Sequence, residues 1–364
     1  MPAVSSTNNR KVALWLFVLC GLVYMMIVLG GVTRLTGSGL SIVDWRPVTG
    51  ALPPLGEEAW RETFELYKQS PEFQQVNSHM DVGGFKRIFW LEYLHRLLGR
   101  LIGIAFLLPF GYFLWRGYIR KRELPKYGLM FVLGGLQGLL GWYMVKSGLV
   151  DNPRVSQYRL AAHLVAAIAI YAYMFWIALS LLRGGERAEP HSWYRRTLLL
   201  AALVLVTIVS GGFVAGLDAG LVYNTFPMMG NYWVPPDLFA LTPAWLNFFE
   251  NMAAVQFSHR VLAVTTFLVI VTWWWFARKA DMPASVRPGV SAVLHTALLQ
   301  VALGISTLLL FVPVPLAAAH QAVAVLLFTV VLYLCHGLRH PLATLPGVST
   351  LTGTLNKAAA SSLQ

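Results

Sequence analysis

One short stretch of this chain gathers an acid, an imidazole and two guanidiniums: Glu92-Tyr93-Leu94-His95-Arg96-Leu97-Leu98-Gly99-Arg100. On a helix, Glu92 three residues before His95 and Gly99 four residues after it share the histidine's face. A later stretch, Gln256-Phe257-Ser258-His259-Arg260-Val261-Leu262-Ala263, keeps the histidine, the arginine and the small residue but carries an amide where the first has its acid. His163 and His320 form a second matched pair, in Ala161-Ala162-His163 and Ala318-Ala319-His320. The residue four places on is small in every case: Gly99, Ala167, Ala263 and Ala324. Such residues leave space beside an imidazole. A flat macrocycle held between two histidines uses that space, whereas a zinc site wants more ligands closer together. Hydrogen-bonded histidines between packed helices are the plainer alternative. Four histidines in matched contexts favour axial ligation of haem iron, His95 with His163 and His259 with His320.

Differences between the two stretches point to different tasks. A carboxylate near a haem edge accepts a proton or stabilises a developing positive charge, and an amide only hydrogen-bonds. Glu92 is therefore the candidate catalytic group, with a buried ion pair to Arg34, Arg96 or Arg100 as its other reading. Arg34 has no basic counterpart, since Ala215 takes the matching place. Arg96 and Arg260 stand where they could neutralise haem propionates, or simply snorkel to the membrane surface. The histidines outside the pattern (His79, His191, His295, His336 and His340) are assigned to structure or surface.

The elements that must carry these residues are apolar. Hydrophobic residues make up 57% of the sequence against 12% charged, a balance that describes a polytopic membrane protein. Eight stretches, near 12–31, 93–115, 127–147, 159–182, 196–216, 254–277, 289–311 and 315–336, reach the ~20 residues that cross a bilayer as helix. The net charge of +12 would suggest nucleic acid in a soluble chain. Here much of it sits on short connections, at Arg116, Arg120, Lys121, Arg122 and Lys126, then Arg183, Arg187, Arg195 and Arg196, then Arg278, Lys279 and Arg287. By the positive-inside rule both termini are expected in the cytoplasm, and the first span is expected to be retained. The loop 217–253 has no Lys or Arg, as an outer loop should. In the other long outer loop, Glu57, Glu58, Glu62 and Glu65 suggest a solvated helical patch.

A repeat underlies this plan. Gly30-Gly31-Val32-Thr33-Arg34 is echoed by Gly211-Gly212-Phe213-Val214-Ala215, and Leu136-Gln137 with Gly141 by Leu299-Gln300 with Gly304. The expected fold is all-α and integral to the membrane, with eight transmembrane helices as two parallel-repeat four-helix bundles. The expected domains are 1–182, 183–341 and a disordered cytoplasmic tail, 342–364. An even number of spans per copy makes the copies parallel, which argues against an inverted-repeat transporter. Cys20 and Cys335 lie in apolar runs and offer no loop disulfide.

Three segments carry a resemblance to the heme A synthase family along nearly the whole chain. They are Gly30-Gly31-Val32-Thr33-Arg34-Leu35-Thr36-Gly37-Ser38-Gly39-Leu40-Ser41, the run Phe85–Arg96, and Gly216-Leu217-Asp218-Ala219-Gly220-Leu221-Val222-Tyr223-Asn224-Thr225-Phe226-Pro227-Met228. The chain resembles the proteobacterial and mitochondrial branch, which has no loop cysteine pairs. The resemblance implies His95, His163, His259 and His320 as haem ligands and Glu92 as the essential acid. It implies haem b as cofactor in the C-terminal half, heme O as substrate in the N-terminal half, and oxidation of the C8 methyl of heme O to a formyl group. It further implies a bacterial inner-membrane location, heme O synthase, an electron donor and cytochrome oxidase assembly as partners, no nucleic acid, and self-association into a homo-oligomer. A non-catalytic di-haem b-type cytochrome is the competing expectation; four histidines at one depth and an acid in only one copy argue against it.

Overall fold

The computed structural model describes residues 6–44, 49–150, 153, 155–183 and 189–340. The tail expected to be disordered, from 342 onward, lies outside them. Eight long helices dominate: α1 (Ser6–Leu35), α2 (Val82–Trp115), α3 (Leu124–Gly148), α4 (Gln157–Leu182), α5 (Tyr194–Gly216), α6 (Met252–Ala277), α7 (Arg287–Leu309) and α8 (Val314–Arg339). All eight are long and apolar enough to cross a membrane. Their outward side chains fit lipid: Leu14, Leu108, Leu199 and Leu268 are each more than half exposed. A helix suits this setting because every backbone group bonds within the segment. The chain is a multi-pass, all-helical membrane protein.

Helices α1, α4, α5 and α8 form the centre, with α1 packed on α4 and α8, and α5 on α4 and α8. The core runs between them through Leu16, Leu19, Ile168, Val204, Phe328 and Leu334. Side chains also bond across the helices. Tyr24 Oη donates to Ala322 O at 2.9 Å and Gln321 Nε2 to Ile27 O at 2.9 Å, tying α8 to α1. The Tyr171 and Thr329 hydroxyls lie 2.9 Å apart between α4 and α8. Around this centre α2 packs on α1 and α3, and α3 on α4; likewise α6 packs on α5 and α7, and α7 on α8.

Helix α2 begins eleven residues before the span expected at 93, with Asp81 Oδ1 accepting from Gly84 N at 2.7 Å at its start. Lys86 and Arg87 mask these first turns from a hydropathy reading. At about 1.5 Å per residue its 34 residues extend roughly 51 Å, beyond a hydrocarbon core of about 30 Å. The projecting end packs against an outer helix, Gly56–Lys68, whose Trp60, Phe64 and Tyr67 share one buried face. Phe85 and Phe89 meet that face, with the Trp60 and Phe89 rings 4.9 Å apart. Glu57, Glu58, Glu62 and Glu65 lie on its exposed side, as expected. This aromatic cap holds the segment between α1 and α2 over the helix that carries Glu92 and His95.

Candidate functional site

Each of the four histidines sits on a helix that follows a glycine-bearing partner, and each packs its ring edge onto that glycine. A Cβ on Gly30 of α1 would stand 3.0 Å from Cε1 of His95 on α2, and one on Gly141 of α3 would stand 3.2 Å from Cε1 of His163 on α4. In the second half, Gly211 of α5 relates to His259 on α6 at 3.2 Å, and Gly304 of α7 to His320 on α8 at 2.8 Å. Any side chain at these positions would press on the ring, so glycine sets how deep each imidazole sits. Each half therefore carries two such glycine-packed imidazoles, His95 with His163 and His259 with His320. All four are only partly buried.

The ring nitrogens are held differently in the two halves. His259 Nδ1 lies 2.8 Å from Ser210 Oγ, and His320 Nδ1 lies 3.2 Å from Gln300 O. His95 Nδ1 and His163 Nδ1 are buried without a hydrogen-bond partner. Among the described residues no three His, Cys, Asp or Glu side chains converge as a metal group. Two imidazoles in each half would instead suit haem, whose macrocycle brings most of the iron's ligands with it. The donor set and the glycine cradles are thus compatible with haem.

Glu92 is 3% exposed and accepts three hydrogen bonds. Ser41 Oγ donates to Oε2 at 2.7 Å and Ile42 N to the same oxygen at 2.8 Å, while Arg96 Nη2 reaches Oε1 at 2.5 Å. Arg96 also donates to Ile42 O at 3.0 Å. Of the three arginines weighed as ion-pair partners, the close one is Arg96. The second half repeats the scaffold with its polarity changed: Arg260 Nη2 donates to Tyr223 O at 2.8 Å, and Gln256 Nε2 donates to the same carbonyl at 3.0 Å. Tyr223 is the residue that the repeat aligns with Ile42. Arg260 Nη1 also reaches Thr225 O at 2.8 Å and Met228 O at 3.2 Å. Arg34 departs from the group, bonding Gly216 O at 3.2 Å at the end of α5 and Asp218 Oδ2 at 3.0 Å just after it.

Three contributors have no place in the motif reading: Ser41, Ser210 and the glycines as histidine cradles. The alignment of the two copies sets Ser41 against Val222 and Ser210 against Leu29, so neither serine recurs. His79 and His295 are exposed, and His336 is fully buried with Nε2 2.9 Å from Ser180 Oγ. Between α1 and α2, Glu72 is buried against Tyr67, whose hydroxyl donates to it at 3.1 Å. Burial pushes Glu72 up to about 7; the Tyr67 bond partly opposes this and the charge of Glu92 adds to it.

Fold and side-chain geometry together describe a multi-pass helical membrane protein with two glycine-packed histidines in each half and a buried acid, Glu92, three residues before His95. Residues 13–332 match the COX15-CtaA family of cytochrome oxidase assembly proteins. Relatives span nearly the whole chain. A heme A synthase of Nitrosospira multiformis is 53% identical, covering 91% of this chain and 94% of its own. Heme A synthase COX15 of Arabidopsis thaliana is 49% identical over 94% and 78%, and that of Homo sapiens 45% identical over 92% and 84%. The chain belongs to the COX15-CtaA family.

Proposed function

We propose that this chain is a heme A synthase, a membrane oxidoreductase that converts the C8 methyl of heme O to a formyl group. The observation that carries the reading is the two pairs of glycine-cradled imidazoles with an acid beside only one pair, in a chain 53% identical to a heme A synthase. The chain divides into two parallel four-helix units, 1–182 and 183–341, supported by the same order of helix pairing in both. His95 and His163 would take the iron of heme O, and His259 and His320 that of haem b, which when bound carries single electrons.

Conversion through an alcohol and then a hydrate that loses water takes four electrons from the methyl carbon, which an external oxidant must accept, and the carbon becomes electron-poor as it is oxidised. Glu92 offers negative charge there. A carboxylate already accepting three hydrogen bonds is built as a fixed charge, and a fixed charge stabilises a cationic centre without reorganising. Arg96 and Arg260 hold the loops by their carbonyls, and guanidiniums so placed would suit the propionates of a bound haem. Arg34 is better read as a tie between the ends of α1 and α5 than as a cofactor contact.

In this reading both termini face the cytoplasm of a bacterial inner membrane, supported by the basic connections after α2, α4 and α6. Heme O synthase supplies the substrate, an electron donor serves the haem, and the product goes to cytochrome oxidase assembly; the protein self-associates. The test is to express the chain in membranes supplied with heme O and an electron donor, then extract the haems. Heme A is expected. Its absence from the wild type would overturn the reading.

A further inference from the structure

The far nitrogens of the four imidazoles separate the two halves more sharply than Glu92 does. Ser210 donates its hydroxyl hydrogen to Thr207 O at 2.8 Å, so its oxygen is left to accept from His259 Nδ1 at 2.8 Å. Gln300 O, a carbonyl, can only accept from His320 Nδ1 at 3.2 Å. Both rings therefore carry their proton on Nδ1 and leave the Nε2 lone pair for a metal. The Gln300 side-chain amide, 3.5 Å from His320 Nε2, faces that lone pair as a donor.

The first half lacks both devices. Leu29 takes the place that matches Ser210. Gln137, which matches Gln300, donates to His163 O at 2.8 Å, and the Nδ1 atoms of His95 and His163 have no partner. An acceptor on Nδ1–H orients a ligating imidazole and raises its basicity. A more basic axial ligand favours ferric over ferrous iron and lowers the reduction potential.

We propose that Ser210 is a positioning residue that makes His259 a retained iron ligand, and that the bare Nδ1 of His95 leaves the first half able to release its macrocycle. A cofactor must stay through many turnovers, whereas a substrate must leave once converted. The proposal rests on the assignment of haem b to the second half.

The test uses the full-length protein purified with its haem, alongside Ser210→Ala, Ser210→Thr and His259→Ala. Two readouts are taken: the midpoint potential of the retained haem, and its rate of loss to excess apoglobin. Ser210→Ala is expected to raise the potential and speed the loss by about 10–100-fold, the usual scale for a lost partner of a metal ligand. Ser210→Thr, which keeps a hydroxyl, is expected to restore both. Unchanged potential and loss rate in Ser210→Ala, with the haem gone in His259→Ala, would overturn the proposal and leave the functional reading standing. Full haem content in His259→Ala would instead overturn the assignment beneath it.

Discussion

The three bonds that Glu92 accepts explain why its position matters as much as its charge. Glu92→Gln keeps the shape but sets a neutral amide against Arg96. Heme A formation is expected to fall by about 100-fold or more, with haem b content unchanged; extraction of haems from matched membranes measures both. Ser41→Ala removes one donor to a charged acceptor, worth about 1.5–3 kcal/mol, so a loss of roughly tenfold or more is expected. Either variant working at the wild-type rate would remove the role given to the carboxylate. The four histidines stand out in the sequence because they lie in short motifs that occur twice, and Glu92 because the second copy has Gln256 in its place. Ser41 was not, since it reaches Glu92 across 51 positions through a loop whose path no local pattern gives.

At the scale of elements, the recurring unit is a glycine on one helix facing a histidine on the next. Gly304→Ala would put a methyl 2.8 Å from His320 Cε1, so ring or helix must shift at a cost of about 1–3 kcal/mol. Lower haem content and a lower melting temperature are expected. Gly21→Ala is the control, because nothing lies within 4 Å of its added Cβ. The eight spans were legible from hydropathy, yet the early start of α2 was not, because its first turns pack on the outer helix instead of lipid. That cap also has a pH signature. With Glu72 raised to about 7 from a usual carboxylate value near 4.3, the folded loop binds its proton more tightly than the unfolded chain. The stability of the cap should therefore be highest below about pH 4 and decline as pH rises to about 7. Glu72→Gln should flatten that decline, as read by amide exchange in residues 56–75.

Over the whole molecule, α1, α4, α5 and α8 bring the two halves together, and Arg34 with Asp218 ties them again at one end. Reporters fused before residue 6 and after residue 340 should both be active on the cytoplasmic side, since the basic connections share that face. The central claim is a division of labour between two similar units, and the most direct measurement is the haem complement of single histidine variants supplied with heme O. His95→Ala should keep haem b and make no heme A, whereas His259→Ala should lose tightly bound haem b. Loss of haem b from His95→Ala, or heme A still made by it at the wild-type rate, would contradict the account.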